Sequence, residues 1–330
     1  MTRLAYHASH EQFPPSELLR YVKRAEEVGF GAIHSSDHLQ PWSMDQGESG
    51  HIWSWLGAAM QVSSLPFGLI CAPGPRHHPV IVAQALATLS EMFPNRLWAA
   101  LGSGEAINER VLGGPWPSKP ERNQRLETSF YMIRDLLAGK EVTQHKPKLD
   151  GHFGAERARI YSRPADSVAR PPLLGAALTP DTARWLGGWA EGLLTISHPL
   201  PELQNLLDAF YAGGGAGKPV YIKMQFSYAR DVQDAVQGAF KQWRTNIFES
   251  SVLSELWLPE HYEAAAEFVS PEDVIQSIPA FNTIDQMEDW LKSYQKALEM
   301  KTKLDTLILH NVHSNQEDFL TDFRGVQVDG

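Results

Sequence analysis

Short apolar runs alternate along this chain with longer stretches of helical period. The runs predict strands from Arg3 to His7, Ala32 to Ser35, Phe67 to Ile70, Leu97 to Leu101, Pro172 to Gly175, Gly192 to Ile196, Val220 to Ser227 and Thr306 to His310. Between the first two, Ser16 to Val28 places Leu18, Leu19, Val22 and Ala25 on one face, and Gly29 follows as a stop signal. Val80 to Phe93 and Arg125 to Leu137 have the same period, and Pro180 to Gly187 opens with a proline suited to a first helical turn. Strands that alternate with helices in this way predict an α/β fold, a (β/α)8 TIM barrel of parallel strands. Two connections, Gly102 to Arg170 and Ala229 to Lys303, are too long for simple units. In such a barrel they are expected as insertions at the C-terminal face, where they build the pocket. Residues 1–330 are expected to form one domain.

Composition narrows the function. A formal net charge of −10 argues against a nucleic acid or an anionic membrane surface as partner. Cys71 is the only cysteine, so no intrachain disulfide is available and a cytoplasmic location is expected. The opening MTRLAYHASHEQF has no signal-peptide core, and no apolar run reaches the roughly 20 residues of a membrane span. The run GGGAG at 213–217 misses a phosphate-binding loop at both ends, with Ala212 before it and Lys218-Pro219 after it. A flexible loop is the expectation there.

Candidate chemistry gathers just past the predicted strands. HSSDHLQPW at 34–42 would put Asp37 and His38 beyond the second strand, with Trp42 as a flat apolar wall. Histidine titrates near neutrality and can take a hydroxyl proton, while a neighbouring carboxylate holds the ring. The competing reading is a polar loop whose histidine caps a carbonyl. After the fourth strand, Gly102-Ser103-Gly104-Glu105 offers backbone N–H groups to an anion and a carboxyl that burial would keep protonated. An N-terminal glutamate matching a helix dipole is the plainer alternative. Arg76-His77-His78 reads as a cationic rim, and no metal is expected, since adjacent histidines seldom converge on one ion.

Together, SSDHLQPW, PVIVAQALATLSEMFPNRLWAALGSGEAINE and YHASHEQFPPSELL resemble the F420-dependent (deazaflavin) glucose-6-phosphate dehydrogenase branch of the luciferase-like flavin and deazaflavin oxidoreductases. The likeness is close over residues 4 to 140, looser to about 200 and faint beyond. It implies a luciferase-like barrel, commonly a homodimer, that moves a hydride using coenzyme F420 or, alternatively, FMN. It also implies His38, Trp42 and Glu105 as catalytic residues. Asp37, Ser103, Gly104, Glu105 and Asn108 would lie at the cofactor, and Glu11 at the same mouth. The family often has a cis peptide after its third strand, matched near Leu69-Ile70.

Departures bear on the ligands. The family's phosphate loop after the fifth strand is glycine-rich, whereas Gly175-Ala176-Ala177-Leu178-Thr179 stands here, with Thr179 and the next helix as the remaining phosphate site. A phosphate-binding lysine after the sixth strand is replaced by Ser197-His198-Pro199, which would line the substrate pocket. No Lys or Arg occurs from Thr245 to Trp290, but Glu249, Glu255, Glu260, Glu263, Glu267, Glu272 and Asp273 do. A phosphorylated sugar would lose its charge-assisted bonds there. The expectation is a small, non-phosphorylated alcohol or carbonyl compound in a pocket lined by Trp243, Phe248, Trp257 and Tyr262, although core packing explains those aromatics equally well. An FMN-dependent monooxygenase of the same family is the alternative. A barrel hydrolase using Glu11 and Glu105, or a non-catalytic flavin-binding protein, are rivals of other classes.

Overall fold

The computed structural model describes residues 2–144, 154–165, 167–298, 302–324 and 326. Eight parallel strands close into a barrel: β1 (Arg3–Ala8), β2 (Ala32–Ser36), β3 (Phe67–Cys71), β4 (Leu97–Leu101), β5 (Leu173–Ala176), β6 (Leu193–Ile196), β7 (Val220–Tyr228) and β8 (Leu304–Asn311). Closure is made by β8 lying between β1 and β7, with Ala5 opposite Ile308 and Leu307 opposite Ile222. Every predicted strand is present, most extending a residue further. Helix α1 (Pro15–Val28) starts at a proline and stops at Gly29, whose left-handed φ of 103° lets its N–H reach the carbonyls of Ala25 and Glu26. Leu18, Val22 and Ala25 are buried, while Leu19 is only half-buried. Helices α2 (Ile52–Val62), α3 (Pro79–Met92), α4 (Lys119–Leu137), α5 (Pro180–Gly187), α6 (Leu200–Phe210), α7 (Ile284–Leu298) and α8 (Gln316–Asp322) complete the units. Helix α4 begins six residues before its expected start, because Ser118 and Glu121 form a capping box around Lys119 and Pro120. No described helix is long and apolar enough to cross a membrane.

Two layers of core result. The larger lies between strands and helices. The smaller fills the barrel itself with Ala5, Ala32, Trp98, Ala100, Leu174, Leu194, Tyr221 and Ile308. Trp98 plugs the lower barrel, and a Cβ built at Gly68 on the neighbouring strand would fall inside its indole. Above this plug the barrel stays open.

Both long excursions stand at the C-terminal face. The first carries a short helix (Ala106–Glu109) before α4 and an antiparallel pair (Val142–Gln144 with Ala155–Ala158) after it. The second carries Val232–Trp243, Ser250–Leu253, Pro259–Ala265 and Pro271–Ser277, then the short strand Ala280–Phe281 beside β7. Residues 145–153 and 299–301, within the two excursions, lie outside the described residues. The excursions are tied together by Arg122 to Glu255 at 3.1 Å and by the Ala106 N–H donating to the Ser254 carbonyl.

Two expectations change. The run at 213–217 is not a loose loop. Residues Tyr211–Gly215 continue α6 as a widened turn. A Cβ at Gly213 would overlap the Arg184 carbonyl, so the glycines let α6 close against α5. Among the described residues there is also no cis peptide. Leu69 and Ile70 keep regular ladders, opposite Ser35 and Ser36 on one side and Ala99 and Ala100 on the other.

Filling Gly68 should therefore overpack the barrel. Gly68→Val is expected to cost about 1 to 3 kcal/mol, read as a lower denaturant midpoint, and to recover in part when combined with Trp98→Leu. An unchanged midpoint for the single variant would show that the plug yields freely.

Candidate functional site

A cavity of about 670 Å³ opens above the Trp98 plug, at the C-terminal ends of the strands. Its walls differ in chemistry. Ile70, Cys71, Ala72, Ala176, Ala177, Leu194 and Ile196, from the β3, β5 and β6 side, present mainly apolar surface. From β2 and β7 come His34, Ser36, Lys223 and Gln225, joined by Glu11, His38, Trp42, Glu105 and Asn108.

The polar wall is one connected network. Glu11, buried past the end of β1, accepts from Ser9 Oγ at 2.9 Å and from Ser36 Oγ at 3.2 Å. His38 Nε2 lies 3.1 Å from Glu11 Oε1. The other ring nitrogen, Nδ1, meets Asn108 Nδ2 at 3.2 Å, and the same amide donates to Glu105 Oε2 at 3.3 Å. Asn108 cannot be turned round, because its Oδ1 accepts the Leu39 N–H at 2.8 Å. An amide N–H facing Nδ1 requires a lone pair there, so the neutral His38 ring carries its proton on Nε2 and gives it to Glu11. Trp42 flanks the imidazole, 5.2 Å between ring centroids, and is backed edge-on by Tyr262.

Two carboxyl groups at this mouth are driven apart. Burial alone would raise Glu11, but the charges of His38 and Lys223 and the Ser9 hydrogen bond outweigh it, and its value falls below the ordinary one. Glu105 is raised, chiefly by burial and further by the Glu11 charge. Glu11 is thus held as a carboxylate and Glu105 favours its proton. Gly104, at φ 85°, makes the turn into Glu105, and a side chain there would overlap the Glu109 carboxylate. Glu109 itself pairs with Arg125 at 2.8 Å.

The partner of His38 is therefore Glu11 and not Asp37. Consecutive residues past a strand point to opposite sides. Asp37 turns to Arg76 and His77, each 2.9 Å from its Oδ2, and both hold it below its usual value against the effect of burial. Asp37, Ile70, Ser103, Gly104, Glu105, Asn108, Ala176, Ala177 and Thr179 all line the cavity. Leu69, Gly175, Ser197 and His198 do not. Leu69 points into the outer core, and the space beside Gly175 is filled by Leu186. Ser197 Oγ turns to the backbone and accepts the Gln225 N–H, while the His198 carbonyl accepts from the Tyr294 hydroxyl. Thr179 caps α5 by accepting the Thr182 N–H, with both residues on the cavity. Of the four aromatics expected in the pocket, only Trp243 lines it. Trp257 lies under Arg110, and Tyr262 is buried with its hydroxyl on the Leu253 and Leu256 carbonyls.

Lys223, with the histidines near it, was not visible as a site in the sequence. His7 Nδ1 meets His34 Nδ1 at 3.0 Å, and the His7 and His310 rings are 4.2 Å apart. Burial and the Lys223 charge lower all three, His34 to about 3. They sit in apolar strands at alternate, inward positions, a period-2 signal hidden by their single occurrence per strand.

Stability should follow these shifts with opposite signs. A raised Glu105 contributes stability fully below the unfolded carboxyl value and loses it as pH climbs through its folded value. Glu105→Gln is thus expected to gain denaturant midpoint relative to the parent as pH rises from about 4 to 8; a difference that stays flat would contradict this. His34, at about 3, and His10, at about 4, contribute stability above the unfolded histidine value that is lost as pH falls below it. The parent should weaken between pH about 6.5 and 4, with a shallower slope for the His10→Gln/His34→Gln pair.

The Luciferase-like monooxygenase family profile matches residues 1–298. The chain is 40% identical over 215 residues to an F420-dependent glucose-6-phosphate dehydrogenase of Microbacterium testaceum, spanning 64% of this chain and 62% of that one. It is 33% identical over 331 residues to the enzyme of the same name from Beutenbergia cavernae, spanning 97% and 94%. Among solved structures, an F420-dependent secondary alcohol dehydrogenase in complex with an F420-acetone adduct superposes at TM-score 0.87 with 26% identity, over 99% of this chain and 98% of that one. The coenzyme F420-dependent tetrahydromethanopterin reductase of Methanopyrus kandleri shares the fold at TM-score 0.73 and 20% identity, over 99% and 98%. Barrel, mouth and matches agree: the chain belongs to the luciferase-like monooxygenase family.

Proposed function

We propose that the protein is an oxidoreductase that uses coenzyme F420, with FMN as the alternative, on a small alcohol or carbonyl compound without a phosphate. The observation that carries this is the chain Glu11–His38–Asn108–Glu105 along one wall of the cavity, a carboxylate-held base at one end and a proton-bearing carboxyl at the other. Environments that push two titratable groups apart mark acid and base roles.

The cavity fits a tricyclic ring. Its volume lies within the range of small-molecule sites. Ile70, Ala176 and Ala177 offer an apolar bed, Ser103 and Gly104 offer edges, and Thr179 with the first turn of α5 suits a phosphate. When bound, the ring supplies the hydride-accepting or hydride-donating carbon.

The side chains supply the rest. His38 accepts the substrate hydroxyl proton at Nδ1, the nitrogen that Asn108 now faces, because Nε2 is committed to Glu11. The imidazolium so formed is stabilised by the Glu11 carboxylate 3.1 Å away. Trp42 walls the substrate and keeps water from the imidazole. Glu105 holds a proton where negative charge gathers at the cofactor edge, and Asn108 keeps base and acid in register. Glu11 is engaged by three donors, which argues against its use in a hydrolase's carboxyl pair.

The second excursion supports a substrate without phosphate. Toward the cavity it presents Asn246, Ser250, Ser251, Leu253, Ser254 and Glu255, none of them cationic. Arg76 and Arg122 also reach the cavity but are paired with Asp37 and Glu255, and Lys119 donates to Ser103 Oγ. A homodimer is part of the same proposal, on the family likeness.

An absorbance titration of the apoprotein should show F420 binding, with FMN bound more weakly. With F420 bound, a panel of small secondary alcohols should be turned over and glucose 6-phosphate should not. His38→Ala should keep cofactor affinity within a few-fold and lose about 10²- to 10⁴-fold in turnover. Spectral change with neither cofactor would end the redox reading; turnover of glucose 6-phosphate would end the substrate reading alone.

A further inference from the structure

Lys223 has no role in the proton chemistry above, yet it projects from β7 into the cavity. Among the described residues its ammonium forms no hydrogen bond and no ion pair. The charges it feels, Glu11 and Glu105, lie beyond ion-pair contact. The other three cations that reach the cavity each have a partner there. An enclosed ammonium that lacks a counter-ion is costly to hold charged, and an anionic ligand group removes that cost.

Its surroundings decide what it can take. On β2 and β8 alongside stand His34 and His310, uncharged at neutral pH and so neither competing for nor repelling an anion. Glu11 already has Ser9, Ser36 and His38 as direct partners, and Lys223, whose charge helps keep it ionised, makes no bond to it. The lysine is set on the barrel strand itself, below the excursions that would hold a bulky phosphate. That depth suits a group attached close to the reacting carbon.

We propose that Lys223 binds a carboxylate carried by the substrate, so that the enzyme acts on a small hydroxy acid and its oxo acid. This rests on the redox reading above and narrows its substrate class. The reaction is unchanged in balance: the carbinol loses a hydride to the cofactor and its hydroxyl proton to His38, while the carboxylate stays ionised and keeps the substrate turned toward both.

The test pairs charge with shape. F420-loaded enzyme is assayed with hydroxy acids from lactate upward, lengthened by successive methylenes, each against the alcohol bearing a methyl in place of the carboxylate. At least one acid should exceed its neutral counterpart about 10- to 100-fold in kcat/KM, mainly through KM. Lys223→Met and Lys223→Gln should abolish that ratio, and Lys223→Arg should restore part of it. Neutral alcohols that match or beat every acid, or a preference that survives in Lys223→Met, would overturn the proposal. A second arm needs no turnover: oxamate should raise the melting temperature of apoprotein and lose that effect in Lys223→Met. If no cofactor binds at all, the redox reading fails, and oxamate protection still decides whether the subsite exists; equal protection of parent and variant counts against it.

Discussion

The cavity depends on keeping one carboxylate charged inside a barrel. Glu11 is buried, and burial alone would neutralise it. The charges of His38 and Lys223 and the Ser9 hydrogen bond prevent that, and Ser36 at the end of β2 adds a further donor. Each contact fixes something further. The Ser36 bond locks the β2 mouth to the β1 mouth. The Leu39 N–H fixes the Asn108 amide, which leaves His38 Nδ1 bare and places the hydrogen of the neutral ring on Nε2, facing Glu11. Asn108 in turn reaches Glu105, the carboxyl whose value burial raises. The order of these groups is a consequence of how one anion is solvated by protein.

The barrel interior follows the same division. Where β3, β5 and β6 face the cavity, they offer mainly alanine, isoleucine and leucine, a surface on which a flat ring can lie without unsatisfied polar atoms. Where β2 and β7 face it, they offer histidine, serine, lysine and glutamine. Below both, Trp98 and Gly68 interlock and stop the cavity from becoming a pore. The excursions then roof the opening, tied to each other through Arg122 and Glu255, so access is governed by segments that are not part of the barrel.

Much of this was legible in the sequence, and what was missed has physical causes. The strands stood out because both faces of a parallel barrel strand are covered, so each reads as an apolar run. His38, Trp42 and Glu105 were found through motif likeness, and they do meet around one cavity. Asp37 was given the wrong neighbour because adjacency in sequence says little about adjacency past a strand end. Lys223 escaped notice as one charged residue in an apolar strand, which reads as noise until the inward face is known. Ser197 and His198 stand where the resemblance has a phosphate-binding lysine, and neither lines the cavity here. The early start of α4 was written in Ser118 and Glu121, a signal the helical period alone does not weigh.

The tautomer of His38 is the most direct check on the account, because it depends on Glu11, Asn108 and Leu39 together and needs neither cofactor nor substrate. Nitrogen-15 NMR of histidine-labelled protein should show the neutral His38 ring protonated at Nε2 and bare at Nδ1, with that order lost in Glu11→Leu. A neutral ring protonated at Nδ1, or one averaging freely between the two forms in the parent, would contradict the arrangement from which the base, the acid and the bound substrate's orientation have all been argued.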